Sequence, residues 1–330
     1  MFSKFQRSKA FLLILLTFLF SSPAFSEKEC FLISKKGEVK KVKSTYKGAG
    51  VVRCFKKKEL LSSPSKVVIK GNIRKEQFST SLGKVFLRWD RASEKYFRRT
   101  PYRAVVDSAK AVSIALRSKG FSSFFRNKTI NWDIVFFSEK SRPQGIPLSL
   151  LESCHPGWMT PPANIYIASA IIAKGCNTGG SNVPKKVAEE RLTRVIIHEM
   201  GHVVEYYLLE GKNFNRAQSE GFATWFESYV AGFTPALSKE KIIRELVSLA
   251  GIPSKGGFSG TIVDYAKASI PFLVIEKEKG IYGIKKVYKR MRESSINLEE
   301  AVKEAFYWSK KDFNKKINKF ILARKHKAFF

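Results

Sequence analysis

The order of two periodicities constrains this chain most. Strand-like stretches are confined to the residues before Pro184, and helical patterns fill nearly everything after it. CFLIS, VKKVKSTY, GVVRCF and KVVIKG, rich in β-branched and aromatic residues, lie between Cys30 and about Ile73, punctuated by Lys, Gly, Ser and Pro. INWDIVFF (Ile130 to Phe137) and ANIYIASAII (Ala163 to Ile172) follow as longer strand candidates. Helical spacing runs from Ala92 to Leu116, with Pro101 marking an interruption or a new start. It returns at Lys185 to Leu209, Arg216 to Val230, Lys239 to Leu249 and Ile262 to Lys279, and in a basic tail from Leu298 onward. Pro184 suits a first helical turn, with Ser181 or Asn182 as its cap. Strands first and helices after predict an α+β domain rather than a doubly wound sheet. With 330 residues, 44% of them hydrophobic, the chain can fill the core of one medium domain and a small accessory one.

Three segments are expected. Residues 1–26 read as a secretory leader: Lys4, Arg7 and Lys9, then FLLILLTFLF, then SSPAFS with small residues at Ala24 and Ser26. Ten apolar residues are about half of the ~20 that span a bilayer, so cleavage near Glu27 is expected and no transmembrane segment in the mature chain. Residues 27–80 form a small β-rich unit ending in a linker-like stretch at about Arg74 to Ser81, and residues 81–330 form the main domain. All four cysteines lie beyond the leader. Pairing by proximity joins Cys30 to Cys54 and Cys154 to Cys176, one of three connectivities.

The histidines carry the chemistry. RVIIHEMGHVVEYY places His198 and His202 four residues apart, on one helix face, where two imidazoles can reach one ion. Glu199, about 100° further around the axis, is kept off the metal but within reach of a water beside it. A purely structural histidine pair would need partners for both ring nitrogens, and VIIHEMGHVV offers none locally. A catalytic zinc takes three protein ligands, and the candidate third is Glu220 in QSEGFATWFES. Two turns down the first helix and a return along a second bring Glu220 level with the histidines, and Gly201 permits a close approach.

HEMGH followed by SEGFA resembles the gluzincin branch of zinc metallopeptidases, the thermolysin-like group; the resemblance covers Lys185 to about Gly280. It implies a zincin-like catalytic domain: a small twisted sheet and an active-site helix, then a helical C-terminal lobe. It implies Zn2+ held by His198, His202 and Glu220, with Glu199 as general base. It also implies an edge strand for extended substrate, for which ANIYIAS is the candidate, and an oxyanion-stabilising residue, for which Tyr265 is the candidate. The group places an acid one turn after the glutamate ligand to orient a histidine; here that position is Thr224, and Glu227, one turn further, is the substitute candidate. The metzincin pattern, with a third histidine soon after the motif, is absent.

The expected function is therefore an exported, periplasmic or secreted, zinc-dependent peptidase acting on peptides or proteins. The competing reading is a non-catalytic or cell-wall-directed protein on the same scaffold, bound to anionic envelope polymers. The formal charge of +32 favours nonspecific contact with such polymers or with lipid head groups. Lys and Arg are spread along the chain without a nucleic-acid module, which argues against sequence-specific nucleic-acid binding. His155 reads as a loop residue, His326 as a surface one, and Trp225 and Phe226 as core behind Glu220. The tail KKDFNKKINKFILARKHK reads as a packed helix with a basic outer face, membrane-surface contact being the alternative.

Overall fold

The structure, a computed structural model, describes residues 72–97, 101–118, 120–138, 141–143, 155–174, 183–212, 215–253 and 257–325. It also describes the backbone of three strands: β1 (Lys28–Ile33), β2 (Val39–Val42) and β3 (Val51–Lys56). The expected leader, Cys154, Cys176 and His326 lie outside the described residues. The chain divides into two compact units, Met1–Ser65 and Lys66–Phe330. In the first, β1 pairs antiparallel with both β2 and β3, and the register sets Cys30 opposite Cys54.

The second unit is α+β, with a small mixed sheet followed by a largely helical part. Its sheet runs β4 (Ile73–Thr80), β5 (Gly83–Asp90), β6 (Trp132–Phe137), β8 (Asn164–Ala168), β7 (Gly157–Thr160). The central three strands are parallel, and β4 and β7 close the two sides antiparallel. Strands buried on both faces carry continuous apolar runs, which is why WDIVFF and NIYIA do not alternate. Ile134, Phe136, Ile165 and Ile167 join the main core, while Val135, Phe137, Tyr166 and Ala168 form a second cluster with Trp158.

Two expectations change here. Residues 73–80 are not a linker but the strand that pairs along its whole length with β5. IRKEQFST is polar because it is the outermost strand of the sheet, paired on one side only, and buries little. ANIYIAS is not an edge strand either. β8 lies between β6 and β7, and the chain after Ala168 turns into the short helix α3 (Ser169–Lys174).

Among the earlier helices, α1 (Pro101–Arg117) starts at the proline, after a 3-10 turn at Arg91–Tyr96, and α2 is the short Ser122–Phe125. The helices after Pro184 are α4 (Lys185–Leu209), α5 (Arg216–Ala231), α6 (Lys239–Ala250), α7 (Ile262–Ser294), α8 (Leu298–Phe306) and α9 (Lys310–Lys325). Pro184 sits just before the first helical residue of α4. Asn215, Ser238 and Thr261 cap α5, α6 and α7 through their side chains, each contributing about 1 kcal/mol. α7 continues past its expected end at Lys279, with a break at Gly280, whose φ of 63° favours glycine. The helical pattern expected from Leu298 onward forms two helices, separated at Tyr307, which adopts a left-handed conformation.

α4, α5 and α7 pack together around Phe222, Trp225, Phe226, Phe272 and Tyr288, all almost fully buried. Two glycines set the spacing. A Cβ on Gly201 of α4 would lie 3.1 Å from Ala223 Cα of α5, and one on Gly221 of α5 would lie 2.2 Å from the Ala268 carbonyl oxygen of α7. No described helix is long and apolar enough to cross a membrane.

Candidate metal centre

α4 carries His198 and His202 one turn apart, both partly buried, and Glu199, which is buried, where the helix packs against the sheet and α5. Capping by Asn215 starts α5 so that Ser219, Glu220 and Glu227 face α4. The Glu220 Oε2 atom lies 3.1 Å from His198 Nε2 and 3.4 Å from His202 Nε2. Ligand atoms about 2.1 Å from a tetrahedral ion stand about 3.4 Å apart, so these separations fit a shared ion. Among the described residues, His198, His202 and Glu220 are the one group of three donors that could hold a metal, their ligand atoms lying within 4.8 Å of one another.

The far side of each imidazole is also committed. His198 Nδ1 lies 2.8 Å from Glu227 Oε1, whose other oxygen accepts from Arg194 Nε at 2.9 Å. Arg194 in turn donates to Glu245 at 2.8 Å. His202 Nδ1 lies 2.9 Å from the Ser219 hydroxyl, and Ser219 also hydrogen-bonds the Glu205 carboxyl. Tyr288 donates to that same carboxyl at 2.7 Å. Nδ1–H donation to a carboxylate, direct or through a hydroxyl, fixes the ring and turns Nε2 toward a metal. Glu227 is thus the carboxylate that contacts His198 Nδ1, while Thr224 is buried with an unpartnered hydroxyl.

The charges follow from burial and proximity. Burial raises the Glu220 pKa, but His198 and His202 outweigh it and hold the carboxyl well below its usual range. Burial likewise opposes ionisation of Glu227, and Arg194 and His198 overcome it. Burial lowers the pKa of His198, yet Glu220 and Glu227 together raise it well above 6.5. Glu199 differs from these: burial pushes its carboxyl up to about 6, against the pull of His202 and His198. It is 4% exposed, and its Oε2 has no hydrogen-bond partner. Gly157 of β7 makes room for it, since a Cβ there would lie 2.9 Å from Glu199 Oε1.

Tyr265, in the first turn of α7, stacks on His198 with ring centroids 6.1 Å apart and on Phe258 at 5.7 Å. Its hydroxyl bonds Arg216, and burial, reinforced by Glu220, pushes its pKa up to about 12. All five residues singled out from the sequence, His198, Glu199, His202, Glu220 and Tyr265, therefore meet in one place. His155 precedes β7 and does not join the three donors. Trp225 and Phe226 are core residues, as expected.

The edge strand nearest the centre is β7. The Pro156 carbonyl accepts from Ala168 N at 2.8 Å, so that pair is hydrogen-bonded, and alternation makes Trp158 and Tyr166 the next bonded pair. The backbone groups of Gly157 and Met159 then point to the outer side, where no described strand pairs. The sequence reading missed β7, a four-residue strand whose GWMT has no alternating signature. It also missed Arg194, Glu205, Ser219 and Tyr288. The helical offset of Ser219 and Glu227 around Glu220 was the available signal, whereas Glu205 and Tyr288 meet only through tertiary packing. No family model matches this chain, and no curated protein matches it.

Proposed function

We propose that the protein is an exported zinc-dependent peptidase with a zincin-like catalytic domain. The observation that carries this reading is the convergence of the His198, His202 and Glu220 donor atoms beside the buried, unpartnered carboxyl oxygen of Glu199. The donor set of two imidazoles and one carboxylate, with one position left for water, suits a catalytic rather than a structural zinc. When bound, the ion acidifies a water and polarises the scissile carbonyl.

The chain's own groups supply the rest. Glu199 takes a proton from the attacking water and returns it to the departing amine; a raised pKa suits a group that must both accept and release a proton near neutrality. Gly157 and Met159 pair through their outward backbone groups with an extended substrate, adding a strand to β7. Tyr265 stays protonated and donates to the oxygen that gains charge in the transition state. Glu227 and Ser219 hold both imidazoles in the orientation that binding requires.

The test is a zinc titration into chelated protein, with hydrolysis of a mixed peptide pool as readout, on the wild type and Glu199→Gln. Zinc should restore hydrolysis only in the wild type while both bind the ion. Equal activity in the two forms, or none in either, would remove the catalytic reading. Export is tested by locating the mature N-terminus, which should begin near Glu27.

A further inference from the structure

We infer that the second half of α7 carries a binding site for a phosphate group borne on a larger molecule, built from cations that take no part in the metal centre. A cavity of about 360 Å³ opens there, within the size range of small-molecule sites. Tyr282, Lys285, Lys286 and Lys289 line it at positions i, i+3, i+4 and i+7, which is one face of a helix, and Arg290 and Arg292 complete the wall. Leu208 and Tyr288, both buried, form its apolar floor.

Five cations face this cavity against two carboxylates. Arg292 pairs with Glu210 at 3.1 Å, and Lys289 lies 3.8 Å from Glu293. Lys285 donates to the Ser123 hydroxyl, and Lys286 lies over the Phe306 ring at 5.7 Å. Among the described residues, no carboxylate forms a salt bridge with Lys285, Lys286 or Arg290. Lys285 with Lys289, and Lys286 with Arg290, are like-charge pairs four residues apart, which destabilise a helix when nothing neutralises them. A high overall charge explains many exposed lysines. It does not explain why these surround a concave, apolar-floored space, where burial already pulls the Lys285 ammonium below its usual pKa.

An anion relieves that repulsion, and a phosphate ester does so best. It brings a charge of about −1.5 to −2 with several acceptor oxygens, where a carboxylate brings one charge. Arg290 and Arg292 offer planar forks suited to phosphate oxygens. Tyr282, 70% exposed, and Phe124 flank the mouth and give the rest of the ligand an aromatic surface. The phosphate can come from a soluble phosphorylated molecule or from a lipid head group.

The experiment uses the full chain at physiological salt and needs neither metal nor turnover. Tripolyphosphate is titrated into the wild type, Lys286→Glu/Arg290→Glu, and a charge-matched control, Lys110→Glu/Lys319→Glu, each checked for folding by circular dichroism. Saturable binding should weaken at least about tenfold in the cavity variant and less than about twofold in the control. Vesicles containing phosphatidic acid, a phosphate monoester, or phosphatidylcholine alone form a second arm. Variant-sensitive binding to phosphatidic acid vesicles alone would assign the phosphate to a head group, and variant-sensitive binding to tripolyphosphate would assign it to a soluble ligand. Equal weakening in cavity and control variants, no variant-sensitive binding in either arm, or polyglutamate binding as tightly with the same variant dependence, would overturn the site.

Discussion

Substituting Gly221→Ala tests the helix spacing on which the metal centre rests. The new methyl would lie 2.2 Å from the Ala268 carbonyl oxygen and 2.5 Å from its carbon, both backbone atoms that cannot turn aside. A comfortable C···O contact is about 3.3 Å, so α5 and α7 must part by about 1 Å. Replacing a helical glycine by alanine gains about 1 kcal/mol of propensity. Overpacking costs about 1–3 kcal/mol, and a forced backbone shift lies at the upper end of that range, so the variant should lose about 1–2 kcal/mol overall. Because Glu220 is the preceding residue, the displacement also reaches the donor set. A shift of that size exceeds the ~0.5 Å tolerance of a preorganised site. Chemical denaturation and competitive zinc titration should therefore both change, with zinc affinity falling at least about tenfold. Gly201→Ala is the internal control: its methyl meets atoms at 3.1 to 3.3 Å, two of them on the Phe226 side chain, and propensity should roughly cancel the crowding. If Gly221→Ala matched the wild type in both measurements, the account of what fixes α5 against α7 would be wrong.

Three further outcomes are expected. Ser219→Ala deprives His202 Nδ1 of its partner and should weaken zinc binding about tenfold by competitive titration. Tyr265→Phe should lower kcat about a hundredfold while leaving KM and zinc affinity near the wild-type values, if its hydroxyl acts only as charge develops. Asp90 is buried, which raises its pKa, but the Ser138 and Ser141 hydroxyls and the Ala92 N–H together hold it below 3.8. Its folded pKa lies below the unfolded one, so its stabilisation is present above about pH 4 and is lost as pH falls through the folded value. Asp90→Ala should thus cost about 1–3 kcal/mol at pH 7, and denaturation at a series of acidic pH values should show the gap narrowing below about pH 4.

The helical half of the fold was readable because capping residues and apolar spacing are local: Asn215, Ser238 and Thr261 each stand immediately before the helices they start. The sheet was less so. β4 reads as polar linker because only its pairing with β5 makes it a strand, and β8 looks like an edge until β7, four residues long, covers it. At the site, HEMGH points to two candidate ligands and a candidate base because their geometry lies within one turn of helix. Glu227 and Ser219 could be anticipated from their offsets around Glu220. The Arg194 to Glu245 contact and the Tyr288 to Glu205 contact join residues 51 and 83 positions apart, and no local pattern encodes them.

Ser219, Glu220 and Glu227 all stand on α5, while both imidazoles they serve stand on α4. An ion gripped by this set ties two helices as a rivet would, so its binding free energy is felt as cohesion between them. Unfolding would have to release the ion first, and melting temperature should climb with the logarithm of free zinc. Resistance to denaturation thereby becomes a gauge of metal supply in the surroundings, readable without any substrate.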